Sequence, residues 1–351
     1  MSETPPGTAV SIDDQLAAGL LPERPARGHK GTFGKLLVIA GSLDYAGAAL
    51  LVCAAAARAG AGLVTLAVPE SLQPLFAAKV VEATTMALPE DDLEEVDPEP
   101  ALAKILDHDH DALVIGPGLR AALATGDLVR GILAVPGDPD PAPAVVDAEA
   151  LRSLAAEDGW WEGIRRSVVL TPHTGEFARL RAASGVEPGA DGDLIDDDDA
   201  RAAAAVDAAR VWGHVVVLKG ARTVIAAPDG AVARVDFENP ALASGGTGDV
   251  LAGTIGSLLA QGLTPFDAAR LGVHLHGTAG EAVRHRVGDA GLLASDLPLE
   301  IALARRRLAE IAERRRAGRR LGFGAHGGPG DGRGGGRPDE GPDVGTVGVD
   351  S

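Results

Sequence analysis

The chain has 351 residues, 46% hydrophobic and only 3% aromatic, which suffices for one large α/β domain or two small ones with a core of Ala, Val, Leu and Ile. A formal net charge of −18 excludes two partner classes, because sequence-independent nucleic-acid binding needs a basic footprint and anionic membranes repel an acidic surface. Cys53 stands alone, which excludes an intrachain disulfide and fits a reducing cytoplasm, and no apolar run reaches the roughly 20 residues that span a bilayer.

In chain order, residues 1–27 are broken by Pro and Gly around one short apolar segment, 16–21, and read as an arm with at most one short helix. It lacks a basic start followed by an apolar core, so no secretory signal is expected. Regular alternation begins near Gly28. Residues 35–40 (KLLVIA) make a buried strand, 47–59 (GAALLVCAAAARA) a helix, and 63–68 the next strand. Brief β-branched or Leu runs follow at 112–115, 144–146, 168–170 and 215–218, separated by helical stretches or long connections. Continuous apolar strands alternating with helices specify a mostly parallel sheet covered on both faces. Residues 224–227 and 232–235, joined by Pro228-Asp229-Gly230, form a hairpin, and helices are expected over 250–261 and 265–287. Residues 189–199 (GADGDLIDDDD) read as an acidic loop. From 313 the chain is rich in Arg, Gly, Pro and Asp with almost no aliphatics, so 313–351 is expected to be a disordered tail.

In open α/β sheets, ligands bind beyond the carboxyl ends of the strands. Here those ends carry Gly41-Ser42, Gly116-Pro117-Gly118, Asp147, Thr171-Pro172-His173 and Lys219-Gly220, which together outline one rim of a cleft. Gly245, Gly246 and Gly248, within NPALASGGTGDV (239–250), immediately precede a helix. Residues without side chains let backbone amides converge there on an anion. Asp249 falls in the first turn, where a carboxylate either takes a proton from a substrate hydroxyl or simply caps the helix. In KGART (219–223), Lys219 and Thr223 suit a phosphate and equally suit an ordinary hairpin end. His173, in TPHTGE, either binds a polar ligand or hydrogen-bonds a carbonyl. Asp147, in VVDAEAL, reads first as a helix cap. His274 and His276 are two apart on one helix and point to different faces, which argues against a metal pair. Because the whole chain is acidic, any nucleotide site must make its own positive potential from amides, helix amino ends and a few lysines.

Seven blocks in this order resemble the ADP/ATP-dependent NAD(P)H-hydrate dehydratases. They are GHKGTFGKLLVIAGS (28–42), AGAGLVTLAVPE (59–70), ALVIGPGL (112–119), AVVDAEAL (144–151), VVLTPHTGEFARL (168–180), VVVLKGARTVIAAPDG (215–230) and NPALASGGTGDVLAGTIGSLLAQGLTPFDAA (239–269). The resemblance runs to about Leu308, and the domain is taken as 28–312. It implies a ribokinase-like three-layer α/β/α sandwich with a mostly parallel sheet. It also implies a lyase that dehydrates the S epimer of hydrated NADH or NADPH, with ADP as co-substrate and AMP and phosphate as products. A Mg2+ ion bridging the phosphates and a homotetramer follow from the same resemblance. In many bacteria an epimerase domain precedes this one; only a short arm precedes Gly28 here, so a separate epimerase is the expected partner.

Position by position, Ala48, Gly118, His173 and Asp249 match the family's substrate contacts, Asp249 deprotonating or orienting the C6 hydroxyl. Lys219, Gly220, Ala221, Arg222, Thr223 and Gly248 match its adenine-nucleotide contacts, and Gly245, Gly246 and Thr247 complete that loop. Thr174 stands where the family pattern often has Pro. Two further readings use the same loop. One is a small-molecule kinase of the hydroxyethylthiazole or hydroxymethylpyrimidine type, which stops at the phosphorylated product. The other is a non-catalytic nucleotide-binding regulator. The TPHTGE and GHKG blocks favour the dehydratase over the first, and intact residues 245–249 with Lys219 argue against the second.

Overall fold

Apolar strands alternate with helices along the chain, and their order across the sheet decides where the cleft falls. The computed structural model describes residues 9–135, 140–185, 194 and 197–322, with side chains to 317. β1 (Val10–Ser11) and α1 (Asp14–Leu20) come from the expected arm. There follow β2 (Lys35–Ile39), α2 (Ala46–Ala59), β3 (Leu63–Pro69), α3 (Gln73–Ala77), β4 (Thr84–Leu88), α4 (Pro98–Asp107), β5 (Ala112–Ile115) and α5 (Leu123–Ala134). Next come β6 (Ala144–Val146), α6 (Glu149–Leu154), β7 (Val168–Leu170), α7 (Thr174–Ala183), α8 (Asp198–Trp212) and β8 (Val215–Leu218). A hairpin of β9 (Val224–Ala226) and β10 (Val232–Arg234) leads to α9 (Thr247–Ala260), α10 (Pro265–Val287) and α11 (Leu297–Gly322).

The strands make one sheet in the order β1-β10-β9-β8-β7-β6-β5-β2-β3-β4. From β8 to β4 every neighbouring pair is parallel, while β9 runs antiparallel to both β8 and β10. The chain reverses its direction of travel between β2 and β5, the kind of switch point at which open α/β sheets take ligands. Along β2, Leu36 and Val38 face one layer, and Leu37 and Ile39 the other. The first layer is built from α1, α2, α9, α10 and α11, the second from α4 to α8. This is the three-layer α/β/α sandwich with a mostly parallel sheet.

Helix α9 is buried without interruption from Val250 to Ala260. Small residues make that possible. A Cβ on Gly253 would collide with the Val52 carbonyl oxygen of α2, and one on Gly256 with the Val114 side chain of β5. Helix α10 closes over the remaining side, with Gly272 against Ile255.

Three segments differ from expectation. The arm is docked: Ile12 N donates to Arg234 O at 2.9 Å, Asp13 caps α1, and His274 faces Ile12 O at 3.2 Å and Asp14 Oδ1 at 3.0 Å. Residues 313–322 of the expected tail belong to α11, because Arg, Glu, Ala and Leu are good helix formers even without an apolar face; 323–351 lie outside the described residues. Of the acidic loop, Asp197 caps α8 and Asp198 opens it, while 189–193 and 195–196 lie outside the described residues. The pattern also missed β4, an edge strand whose residues are mostly half-exposed and carry little apolar signal. Among the described residues no helix is long and apolar enough to cross a membrane.

Gly253→Ala is expected to lower the melting temperature, because forcing a methyl between two packed backbones costs about 1–3 kcal/mol. Gly47→Ala, where a Cβ meets nothing within 4 Å, is expected to leave it unchanged or slightly raised. Thermal denaturation of both variants checks the contrast.

Candidate active site

The first turn of α9 ends at the carboxyl edge of the sheet. Gly246 precedes it in a left-handed conformation and supplies no side-chain cap; Thr247 N turns back to Ser244 O at 3.4 Å, and the amides of Gly248 and Asp249 keep their donors for another partner. The turn is anchored from behind. Buried His276 on α10 donates from Nε2 to Thr247 O at 2.9 Å, and the Thr247 hydroxyl lies 2.8 Å from Leu242 O and 2.9 Å from Ser244 O. Burial pushes His276 down to about 4, so the ring stays neutral with its proton on Nε2. Asp249 is the third residue of the helix. Burial, reinforced by the charge of Asp147 and opposed by that of Lys219, raises its carboxyl to about 6.

Lys219, just after β8, donates to Asp147 Oδ1 at 2.8 Å; Asp147 follows β6 and is 2% exposed. A Cβ on Gly248 would lie 3.5 Å from Lys219 Nζ and 4.0 Å from Asp147 Oδ2, so this pair stands over the amino end of α9. Burial works against the Lys219 charge, but Asp147, Glu176 and Asp249 together hold its pKa above the usual lysine value. Asp147 is not the helix cap that its sequence context suggests. That position belongs to Ala148, and the Asp147 carboxylate is turned into the cleft toward Lys219.

His173 and Lys219 are backbone neighbours, joined by Lys219 N donating to Pro172 O at 2.9 Å. The His173 Nδ1 caps α7, accepting from Gly175 N at 3.0 Å, while Glu176 Oε2 accepts from His173 N at 2.9 Å. With Nδ1 occupied as an acceptor, the neutral ring carries its proton on Nε2. The side chain is 58% exposed, and its Nε2 lies 3.5 Å from Glu176 Oε1.

The expected nucleotide loop, 219–223, joins β8 to β9. Beneath Gly220 lies the buried Arg201 guanidinium, which donates to Leu218 O at 3.0 Å and Leu194 O at 2.9 Å. Arg222 is spent on Asp198 at 2.7 Å and Glu238 at 2.6 Å, and the Thr223 hydroxyl donates to Gly220 O at 3.2 Å. Ala221 is exposed at the tip. Lys219, paired with Asp147, and Arg201, held on backbone carbonyls, are therefore the cations nearest this loop that Asp198 and Glu238 do not neutralise directly.

Ala48 and Gly118 meet across the switch point. Gly118 adopts φ +66°, and a Cβ there would lie 2.7 Å from Tyr45 O and 2.8 Å from Ala48 Cβ, so only glycine fits. Gly41 N donates to Pro117 O at 2.8 Å and locks the two loops together. Asp147 stands in the sequence as a strand-end residue of the cleft rim, although it reads first as a cap; His276, Glu176 and Arg201 carry no local signal of a place in the site.

A family model described as NAD(P)H-hydrate dehydratase matches residues 36–302. A bifunctional NAD(P)H-hydrate repair enzyme of Moorella thermoacetica is 44% identical over 79% of this chain and 50% of its own length. An ADP-dependent (S)-NAD(P)H-hydrate dehydratase of Neisseria meningitidis is 37% identical over 77% of this chain and 84% of its own. Among solved structures, an ADP/ATP-dependent NAD(P)H-hydrate dehydratase of Bacillus subtilis, co-crystallized with ATP/Mg2+, superposes with a TM-score of 0.69. It is 31% identical, over 86% of this chain and 99% of that one. The chain spans about half the length of the bifunctional relatives it matches.

Asp147→Ala is expected to destabilise the fold by about 3 kcal/mol, as expected when one partner of a largely buried ion pair is removed. Asp147→Asn, which keeps an acceptor for Lys219, is expected to cost less. Chemical denaturation with both variants measures the difference.

Proposed function

The chain belongs to the NAD(P)H-hydrate dehydratase family, and from that premise we propose that it repairs the S epimer of hydrated NADH and NADPH at the expense of ADP, in the cytoplasm. The reading rests on the convergence of Asp249, the Lys219–Asp147 pair and the uncapped first turn of α9 at one corner of the cleft. Hydroxide is a poor leaving group and phosphate a good one, so the C6 hydroxyl is phosphorylated before it departs.

Asp249 takes the proton of that hydroxyl; a base whose pKa lies near 6 suits the task at neutral pH. The β-phosphoryl group moves to the C6 oxygen and AMP leaves. Lys219 and the amides of Gly245, Gly246 and Gly248 hold the charge on the transferring group, while Thr247 N is committed to Ser244 O. The ring nitrogen's lone pair then expels phosphate, and loss of the C5 proton restores the dihydronicotinamide double bond. Ala48 and Gly118 form the wall for the ring, and the exposed His173 imidazole, held by Glu176, borders the substrate. Loop 219–223 (Lys219, Gly220, Ala221, Arg222, Thr223) borders the adenine nucleotide, through its backbone more than through the committed Arg222 side chain.

Among the described residues no group of three His, Cys, Asp or Glu side chains could hold a metal. That donor set suits Mg2+ arriving on the nucleotide phosphates, with Asp147 or Asp249 adding at most one or two ligands. The ion supplies charge neutralisation on the phosphates when bound. An epimerase would feed the S epimer, and a homo-oligomer is the expected assembly.

Incubation of the hydrated S epimer with ADP should restore dihydronicotinamide absorbance, with one AMP and one phosphate per NADH. A phosphorylated hydrate that accumulates without recovery marks a kinase, and nucleotide binding without turnover marks a regulator. Turnover far faster with ATP than with ADP would overturn the donor assignment. Asp249→Asn is expected to lower kcat by about 10²–10⁴-fold with nucleotide affinity nearly unchanged; retention of more than a tenth of the rate would make Asp249 a cap. The acid limb of kcat/KM is expected near pH 6, where Asp249 loses its charge on acidification. Asp147→Asn should move that limb to lower pH, because the Asp147 charge helps to raise the Asp249 value.

A further inference from the structure

A second cavity lies beyond the switch point, past the ends of β2, β3 and β4. It holds about 170 Å³, against roughly 300–1,000 Å³ for sites that enclose a whole drug-sized ligand, so it has room for one ring system. Its floor is apolar, from Ile39, Ala67, Leu88, Leu119 and Leu128. Ser42 lines it as well; the residue is 6% exposed and its hydroxyl has no hydrogen-bond partner.

Arg120 is the one cation among the lining residues. In a chain of net charge −18, where most guanidiniums are paired, no ion pair or hydrogen bond of the Arg120 side chain is found among the described residues. The acidic groups of the rim are otherwise disposed. The Glu90 carboxylate accepts from Ser71 N at 2.6 Å and Ser71 Oγ at 2.9 Å, while Asp44, Glu94 and Glu95 are exposed to solvent at the lip. An unpaired guanidinium beside an apolar slot is the arrangement that receives an aromatic base and its phosphate.

The cavity and the Ala48–Gly118 wall are two sides of the same pair of loops. Gly41 to Asp44 line the cavity while Tyr45 and Ala48 touch Gly118, and Leu119 and Arg120 directly follow Gly118. Three strand spacings, about 14 Å, separate Asp147 after β6 from Pro69 at the end of β3. That is the reach of a dinucleotide laid across the strand ends.

We propose that this cavity takes the adenosine end of the hydrated dinucleotide, with its base in the apolar slot and a phosphate on Arg120. The proposal rests on the dehydratase reading above. It makes Arg120 a specificity-determining residue remote from the transferred phosphoryl group.

The test compares three hydrates: those of NADPH, NADH and reduced nicotinamide mononucleotide, the last lacking the adenosine half. Arg120→Ala is expected to raise KM about tenfold, the value of one charge-assisted contact, with kcat and the KM for ADP unchanged. A rise confined to hydrated NADPH places the 2′-phosphate on Arg120, and a rise for both dinucleotides places the pyrophosphate there. Arg120→Lys should recover part of the loss. Ala124→Phe, which fills the slot from α5, should raise KM for both dinucleotide hydrates and leave the mononucleotide hydrate untouched. Normal turnover with KM unmoved in both Arg120→Ala and Ala124→Phe overturns this proposal alone. Absence of turnover of every hydrate by the unmodified protein overturns the dehydratase reading, and this proposal with it.

Discussion

The burial of α9 on every side is the constraint from which the candidate site follows. A helix can lie that deep only if neighbouring backbones come very close, and Gly253, Gly256 and Gly272 remove the side chains that would keep them apart. Once the helix is held by α2, β5 and α10, its first turn has one place to be, at the carboxyl edge of the sheet. Asp249 is thereby carried into a poorly solvated corner, and the loss of water raises its carboxyl toward neutrality. The same burial lets His276 pin Thr247 from behind as a permanently neutral donor. Packing far from the chemistry therefore sets both the position and the basicity of the carboxylate.

Electrostatics completes the corner against the background of an acidic chain. A nucleotide approaching a protein of charge −18 is repelled at long range. The site counters this locally, with Lys219 oriented by Asp147, Arg201 beneath Gly220, and free amides at the head of α9. Arg222 adds little, since Asp198 and Glu238 neutralise it. Lys219 has carboxylates on several sides, so it stays charged despite its burial. Its ammonium and the Asp249 carboxyl are coupled, each biasing the protonation of the other.

The strand ends were the most legible part of the fold. β2, β3, β5, β6, β7, β8 and the β9–β10 hairpin are short, apolar and bounded by Gly, Pro or Asp, and such runs declare themselves without any tertiary context. β4 and β1 did not, because an edge strand needs only one covered face and its sequence is correspondingly mixed. The glycine loop and Asp249 were legible for the same reason as the strands: their meaning is local. Asp147 was visible but misread, since a strand-end Asp before a helix looks like a cap until the pairing with Lys219, 72 residues away, is seen. His276 and Arg201 depend wholly on contacts between distant segments, and no spacing rule reaches them. The docking of the arm through Asp14 and His274, 260 residues apart, is of the same kind.

Asp249 acts as a base only if it is a desolvated carboxylate rather than an ordinary cap. Carboxyl carbon NMR, with the resonance assigned by its absence from Asp249→Asn, measures this in the resting protein without any substrate. A titration midpoint near pH 6 is the predicted result. A midpoint at the ordinary aspartate value of 3.8 would contradict it, because burial at the head of α9 would then have done nothing to prepare a base.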